Sequence, residues 1–317
     1  MTVGQSQNAV LGAGIYSPVP TFFKGADFEL DLDSQVKHAQ MLYDSGINGV
    51  VVAGSMGESP HLTRDERAVL FKTLRNAIPD PNFKIIAGAP PSSVKDSIAE
   101  TKIAKDAGAD FSILLLQGYF GPNLISQEGI VDYFTAVADD SALPIIIYNY
   151  PGTSNGTEIK PETFEVLSKH PNLVAVKLTH YNMALYTLLS RNVTISETNN
   201  FRPFTGLGQI LVPALSIGVY GAIDGLSGIF PKSMLKILEY YKAGEIKKST
   251  ELQYLVTKVD EMVSALNVVG VKYAIKKIHG IGEVLEGRPP LSKPVNLDTW
   301  KYYEKDFYAL AEVEKSL

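Results

Sequence analysis

The segment Leu173-Val174-Ala175-Val176-Lys177-Leu178 is apolar along nearly its whole length, as expected of a β-strand that is covered on both faces. Seven further short runs rich in valine, isoleucine and leucine recur along the chain, with helix-like segments between them. The eight predicted strands are 14–22, 49–53, 84–87, 111–116, 144–148, 173–178, 193–197 and 219–223. Eight strand–helix alternations without a visible linker favour an α/β fold, the closed (β/α)8 TIM barrel, over an open sheet.

Helix boundaries in the sequence support this assignment. Gly46, Gly108 and Gly218 each follow a predicted helix and precede a strand, as helix-ending glycines do. Thr63 and Glu66 have the spacing of a capping box at the start of another helix. No G-x-G-x-x-G motif follows the first strand, which weighs against a dinucleotide-binding fold.

The last part of the chain is predicted to be helical. The eighth barrel helix should begin near Pro231, because proline suits the first turn of a helix. We expect a flexible N-terminus over 1–13, the barrel over 14–245, and a helical extension over 246–317 packed on the barrel as one structural unit. Apolar residues of the extension recur at three- and four-residue spacing, namely Leu252, Leu255, Val256, Val259, Met262, Val263 and Leu266.

Composition limits the classes of partner. The 317 residues include 29 basic and 34 acidic side chains, a net charge of −5, without a run of lysine or arginine that would suit nucleic acid. No cysteine is present, which excludes disulfides and thiolate metal sites. No apolar stretch is long enough to span a bilayer, and the segment from Met1 to Val10 has no targeting pattern. The sequence predicts a soluble, cytoplasmic protein without nucleic-acid or membrane partners.

Lys177 stands near the end of the strand quoted above, where a lysine is unexpected. Burial disfavours the charged form of an amine, and a neutral amine attacks carbonyl carbons, which is the first step of Schiff-base catalysis. The plain alternative is a strand-end lysine whose amine reaches water. Because strand residues alternate between faces, Lys177 should share its face with Ala175 and Leu173, and the small Ala175 would leave room for the lysine.

Two further segments are expected beside Lys177, because the active site of a (β/α)8 barrel lies at the C-terminal ends of the strands. Gly54-Ser55-Met56-Gly57-Glu58 follows the second strand and offers amides and a hydroxyl that suit a carboxylate or phosphate, although an ordinary glycine-rich turn would look the same. Glu58 is expected to be a helix-start carboxylate. Tyr148 ends the fifth strand; its hydroxyl would emerge at the barrel mouth, or simply bond a backbone group.

Together these segments resemble the dihydrodipicolinate synthase/N-acetylneuraminate lyase family of pyruvate-dependent class I aldolases, from Gly14 to about Pro290. The segment 54–58 matches the family's G-[ST]-x-G-E motif, Tyr148-Asn149-Tyr150-Pro151 its Y-N-x-P motif, and Val176-Lys177-Leu178-Thr179 its Schiff-base segment. Gly221-Ala222-Ile223 resembles the family's eighth strand. The resemblance implies a carbon–carbon lyase that is a homotetramer, built as a dimer of dimers.

The resemblance also implies a catalytic mechanism. Lys177 would be the nucleophile that forms an imine with the keto acid, and Tyr148 would relay protons. The covalent imine would make a metal or another cofactor unnecessary. The five histidines, which have no metal-ligand spacing, are His38, His61, His170, His180 and His279.

Substrate binding is implied for the same segments. After Gly54, the Ser55 hydroxyl and the amides of Ser55 and Met56 would bind the pyruvate carboxylate. The backbone at Ile223 would line the pyruvate pocket. Holding the keto acid in register with the lysine is catalysis by positioning.

Three positions depart from the synthase branch of the family. The synthases carry an arginine just after Y-N-x-P that holds a second carboxylate, whereas Gly152-Thr153-Ser154-Asn155-Gly156 follows here. Phe120 stands where the synthases place a relay tyrosine donated across a subunit interface, and shifting the alignment by one residue would put Tyr119 there instead. Met56 replaces the usual threonine, serine or asparagine.

These departures favour a hydroxylated substrate. The polar segments 153–155 and 198–200, with Asp224 and Ser227, are expected either to hydrogen-bond a substrate tail or to be solvated loop residues. The predicted function is cleavage of a 2-keto-3-deoxy sugar acid or 4-hydroxy-2-oxoglutarate to pyruvate, or glyoxylate, and an aldehyde. The alternatives are 4-hydroxy-tetrahydrodipicolinate synthase, which condenses pyruvate with aspartate semialdehyde, and a catalytically silent keto-acid sensor or scaffold.

Overall fold

Eight parallel strands close into a barrel in the computed structural model, which describes residues 9–317. Each strand pairs with its neighbours in chain order, and the last pairs with the first, so the predicted (β/α)8 barrel is confirmed. The first eight residues of the predicted flexible N-terminus lie outside the described residues. The strands are β1 Gly14–Pro18, β2 Gly49–Val52, β3 Lys84–Ala89, β4 Phe111–Leu115, β5 Ile145–Asn149, β6 Leu173–Leu178, β7 Arg202–Thr205 and β8 Gly221–Ile223.

A helix follows each strand on the outside of the barrel. The predicted capping box is present, since the Thr63 side chain accepts from the Glu66 amide and the Glu66 carboxylate accepts from the Thr63 amide. Pro231 is the first residue of the eighth helix, as predicted. The helices are α1 Leu32–Asp44, α2 Arg64–Ala77, α3 Val94–Asp106, α4 Gln127–Asp140, α5 Pro161–Leu167, α6 Met183–Ser190, α7 Leu211–Ser216 and α8 Pro231–Lys242.

The seventh strand lies further along the chain than predicted. The segment 193–197 alternates apolar and polar residues like a strand, but Thr194–Thr198 form a π-helical turn. The turn forms because the Asn192 side chain accepts from the amides of Thr194 and Ile195 at 3.0 and 3.3 Å. Residues 198–200 therefore precede β7, at the end of the barrel opposite its C-terminal mouth, and the expectation that they bind a substrate tail is wrong.

The barrel interior is filled at its N-terminal end. The rings of Tyr16 and Phe204 meet edge to face with centroids 5.8 Å apart. Below them, Arg202 lies 4.8 Å from the ring centre of Tyr220 and donates to the carbonyl of Leu11 at 2.9 Å. Because this end is packed, space for a ligand has to lie at the C-terminal ends of the strands.

A shift in residue pairing between β5 and β6 changes the faces predicted for β6. The register moves between Leu173 and Ala175, so that Val174 is an extra residue, as in a β-bulge. Val174 and Ala175 both join the interior cluster, whereas Leu173 packs among the helices outside the barrel. Ala175 therefore shares the inner face with Lys177 as predicted, but the same prediction for Leu173 is wrong.

Two long helices follow the barrel, α9 Ile246–His279 and α10 Leu297–Ser316. The α9 helix is kinked at Asn267, which has φ 53° and ψ −149°. Its N-terminal half presents the predicted apolar stripe: five of the seven residues are buried and two are half-buried. The segment bounds predicted from the sequence, 1–13, 14–245 and 246–317, stay a prediction. The two long helices share one hydrophobic cluster with the barrel.

A buried ion pair joins α9 to the loop after β2. The Lys272 amine lies 2.6 Å from the Glu58 carboxylate, and both side chains are fully buried. Lys272 also donates to the Glu286 carbonyl at 3.1 Å, and the Arg288 amide donates to the second oxygen of Glu58 at 3.0 Å. Burial lowers the pKa of Lys272, and the neighbouring Glu58 carboxylate opposes that shift. Glu58 is the N-cap residue of a 3-10 turn, Ser59–His61, so it does stand at a helix start as expected, but its side chain pairs with Lys272 and makes no capping hydrogen bond.

Lys272→Met is expected to lower the free energy of unfolding by about 3–5 kcal/mol, because it leaves the Glu58 carboxylate buried without its partner. Chemical denaturation of both proteins measures the difference. The double variant Glu58→Gln/Lys272→Met is expected to recover part of the loss, since the amide is neutral and still accepts from the Arg288 amide. A double variant no more stable than Lys272→Met would show that the stranded charge is not the cause.

Candidate active site

A cavity of about 490 Å³ opens at the C-terminal end of the barrel. Its lining includes Lys177 and Tyr148 at the strand ends, the segment Gly54 to Met56 after β2, and part of α9. Five residues predicted for the site, Lys177, Tyr148, Gly54, Ser55 and Met56, are thus brought together around one space.

Lys177 and Tyr148 are neighbours across two paired strands. They are partners in the β5–β6 register, and the Lys177 amine lies 4.3 Å from the centre of the Tyr148 ring. Each residue is only 6% exposed, so Lys177 is not a strand-end lysine that extends into bulk water. Thr179 donates to the Tyr148 hydroxyl at 3.5 Å, and the Tyr150 ring stacks on that of Tyr148 with centroids 5.7 Å apart. An amine and a phenol so placed can attack a carbonyl and transfer a proton beside it.

Gly206 makes room for the lysine. A Cβ atom at this position would lie 3.0 Å from Lys177 Cε and 1.9 Å from Thr179 Oγ1, so a larger residue would displace both side chains. The strand predicted at 193–197 hid the importance of Gly206, because β7 lies later in the chain. With β7 placed correctly at Arg202–Thr205, a glycine directly after the strand would have marked this position as part of the site.

The loop after β2 presents free backbone donors to the cavity. Ala53 and Glu58, at its two ends, both have positive φ angles, 53° and 57°, which non-glycine residues adopt at an energetic cost. Hydrogen bonds hold this shape, including Ser59 N to Gly54 O at 3.2 Å. Within residues 9–317, the amides of Ser55 and Met56 donate to no protein acceptor. Two free amides and the exposed Ser55 side chain suit a small carboxylate.

Four predicted site residues lie outside this lining. Ile223 and Asp224 are fully buried, and Asp224 accepts from the Ser227 amide at 2.9 Å, behind the cavity wall. This burial removes Asp224 and Ser227 from the direct contact with substrate hydroxyls that we expected. Tyr119 and Phe120 lie on the surface, 88% and 52% exposed, with their rings in edge-to-face contact.

The α9 helix supplies a wall that sequence analysis missed. Asp260, Val263, Ser264 and Asn267 all line the cavity, although they lie far along the chain from the barrel motifs. No local pattern marks them, because the buried stripe of an amphipathic helix looks the same whether it packs on a core or on a ligand cavity. Their contribution depends on how α9 crosses the barrel mouth.

One buried carboxyl in this wall, that of Asp260, has a second one, that of Asp224, directly behind it. A Cβ atom on Gly208 would lie 3.0 Å from an Asp224 oxygen and 3.1 Å from an Asp260 oxygen. Both carboxyls therefore lie next to this glycine. Burial, with the nearby Asp224 carboxyl, raises the pKa of Asp260 to about 8. Burial also raises the pKa of Asp224 to about 6, a shift that hydrogen bonds from Ser227 and the charge of Lys177 oppose.

Among residues 9–317 no group of three or more histidine, aspartate or glutamate side chains is arranged to hold a metal ion. None of the helices in that range is long and apolar enough to cross a bilayer.

Comparison with known proteins identifies the family. A model of the dihydrodipicolinate synthetase family matches residues 12–306, nearly the whole chain. The chain belongs to this family. The relationship predicted from the three sequence motifs is therefore confirmed.

Individual members of the dihydrodipicolinate synthetase family are similar to the chain over most of its length. A protein of Emericella nidulans named "Probable 4-hydroxy-2-oxoglutarate aldolase, mitochondrial" is 32% identical over 87% of this chain and 88% of the relative. An L-threo-3-deoxy-hexylosonate aldolase of Aspergillus niger is 30% identical over 97% of both chains. The solved 4-hydroxy-tetrahydrodipicolinate synthase of Methylacidiphilum fumariolicum SolV is 26% identical, with a TM-score of 0.85 over 96% of this chain and 98% of that chain.

Asp260→Asn is expected to raise Tm, by an amount that grows as the pH rises from 5 to 8. The pKa of Asp260 is about 8 in the folded protein against an ordinary value of 3.8, so the unfolded chain ionises first and stability is lost as pH rises through this window. An amide cannot ionise and escapes the loss. Thermal denaturation at several pH values, with the exposed Asp132→Asn on α4 as control, measures the effect. A Tm difference that does not depend on pH would contradict it.

Proposed function

We propose that the protein is a class I aldolase, a carbon–carbon lyase that cleaves a 2-keto-3-deoxy sugar acid or 4-hydroxy-2-oxoglutarate through an imine on Lys177. The observation that carries the proposal is the enclosed Lys177 amine, 4.3 Å from the ring centre of Tyr148 and in the same cavity as the free amides of Ser55 and Met56. The names of the two fungal relatives support the same reaction class.

The amides of Ser55 and Met56 would bind the carboxylate of the keto acid, which holds its carbonyl carbon near the lysine. The Lys177 amine attacks that carbon, and loss of water gives a protonated imine. Tyr148 relays the protons of this step. No metal is required, because the positive imine draws the electrons of the breaking bond.

Cleavage follows from the same arrangement. Tyr148 accepts the proton of the substrate's C4 hydroxyl while the C3–C4 bond breaks, which releases an aldehyde and leaves an enamine on Lys177. Protonation of the enamine carbon and hydrolysis of the imine then release pyruvate and restore the amine. Thr179, which donates to the Tyr148 hydroxyl at 3.5 Å, would keep the phenol oriented for both transfers.

The synthase reaction is less well supported by the cavity. Condensation with aspartate semialdehyde calls for a cation that holds the second substrate's carboxylate, and arginine suits that task best. Among the described residues that line the cavity there is no arginine. A silent sensor or scaffold is distinguished from an aldolase by turnover alone, since a sensor could also form the imine.

We also propose that the protein is a homotetramer and that it is cytoplasmic, as expected from the sequence. The exposed aromatic pair Tyr119–Phe120, with exposed Leu124 beside it, supports burial of this surface in a homotetramer. The expected partner is a keto acid. A cytoplasmic location remains our prediction.

Incubation with pyruvate and borohydride is expected to attach one pyruvate-derived group to the wild type and none to Lys177→Met, because borohydride reduces the imine that only this amine forms. Intact-mass and peptide-mapping mass spectrometry locate the group. Lys95→Met on the exposed part of α3 is the matched control and should be modified like the wild type. Equal modification of Lys177→Met, or a group on another lysine, would contradict the mechanism.

Tyr148→Phe is expected to slow turnover by about 10²–10⁴-fold, because the phenol is the proton relay of both steps. Pyruvate release from the cleaved substrate gives the rate, and pyruvate affinity should change little. Tyr302→Phe, exposed on α10, controls for loss of a tyrosine hydroxyl. Tyr119→Phe tests the alternative alignment of the relay. A Tyr148→Phe rate within a few-fold of wild type would remove Tyr148 from the mechanism.

A further inference from the structure

The cavity provides for one substrate carboxylate and no more. Among the described residues of its lining, Lys177 is the one lysine or arginine, and its amine is committed to the imine under the proposed function. His61 also lines the cavity, but its ring is held by the buried Glu58 carboxylate at 3.2 Å. A second carboxylate would therefore lose its hydration without gaining a cation, which is strongly unfavourable.

The part of the cavity wall formed by the ends of β5 to β7 and by α9 instead offers neutral hydrogen-bonding groups. Its polar residues are Tyr150, Thr153, Thr179, Gln209, Ser264 and Asn267. Hydroxyl and amide groups pair with the hydroxyls of a sugar-derived chain, since each can donate or accept. This wall suits a polyol tail better than an anion.

Gln209 carries an acceptor that lacks a partner. The residue is 6% exposed and lines the cavity, and within residues 9–317 its Oε1 atom makes no hydrogen bond. Its Nε2 atom is committed, because it donates to the Tyr181 hydroxyl at 2.6 Å. A buried acceptor of this kind is stabilised by a ligand that donates, which a hydroxyl does and a carboxylate does not.

Asp260 adds a carboxyl to the same wall in a fixed position. One of its oxygens, Oδ2, accepts from the Gln209 amide at 2.9 Å. The other, Oδ1, makes no hydrogen bond within the described residues. With Asp224 directly behind, this part of the wall presents carboxyl oxygens, which accept from a hydroxyl and offer no cation to a second carboxylate.

From these four observations we infer that the substrate is a 2-keto-3-deoxy sugar acid, whose aldehyde half is neutral and hydroxylated, and that Asp260 is the residue that selects it over 4-hydroxy-2-oxoglutarate. The inference rests on the proposed function. It assigns imine chemistry to the strand-end residues and substrate choice to α9.

Pyruvate release from a 2-keto-3-deoxy-hexonic acid and from 4-hydroxy-2-oxoglutarate, measured side by side as kcat/KM, tests the inference. The wild type should prefer the sugar acid by on the order of 10-fold or more, because the buried polar groups are left unpaired by the diacid. Asp260→Asn should shift this ratio toward the diacid by about 10-fold. The asparagine keeps an acceptor for the Gln209 amide, and Glu251→Gln on the exposed side of α9 is the control for loss of a charge.

Each outcome decides between the inference and its alternatives. A wild-type preference for 4-hydroxy-2-oxoglutarate, or a ratio that Asp260→Asn leaves unchanged, would overturn the inference while the aldolase mechanism stands. Cleavage of neither substrate, with no pyruvate trapped on Lys177, would overturn the proposed function and the inference with it. A shifted ratio in a variant that folds and traps pyruvate like the wild type supports the role of Asp260 in substrate choice.

Discussion

The ion pair between Glu58 and Lys272 joins two parts of the cavity lining, the loop after β2 and α9. Glu58 closes the loop that presents the amides of Ser55 and Met56, and Lys272 belongs to the helix that carries Asp260. Both charges are removed from water, so their attraction has to offset a large desolvation cost, and the arrangement depends on good geometry. At 2.6 Å, with further bonds to Glu286 O and from Arg288 N, that geometry is met. The pair thereby links the carboxylate-binding loop to α9.

The kink in α9 lies between Asp260 and Lys272. Asn267 has φ 53° and ψ −149°, a backbone conformation that costs free energy for an L-residue, and its side chain accepts from the Val268 amide at 2.9 Å. Val263 before the kink and Lys272 after it are both buried, which anchors each half of the helix. Asn267 also lines the cavity, so the strained backbone lies at the barrel mouth.

Sequence reasoning succeeded where a signal is contiguous. Three segments can be recognised from a few consecutive residues: the apolar run before Lys177, the loop 54–58 and the strand that contains Tyr148. All three lie at the cavity. It failed at β7, because an asparagine side chain turned a strand-like alternation into a helical turn. That error hid Gly206, whose importance appears only when the lysine is packed against it.

The cavity residues that α9 contributes could not have been predicted in the same way. Asp260 looks like any polar residue on an amphipathic helix, and Glu58 reaches its partner Lys272 only through tertiary structure. The difference between the predictable and the unpredictable site residues has a physical cause. The filled barrel interior confines the chemistry to the strand ends, and the residues there belong to short sequence motifs. The substrate tail extends beyond the strands and meets whatever crosses the mouth, here α9. Changes in α9 can therefore alter substrate choice while the strand that carries Lys177 stays the same.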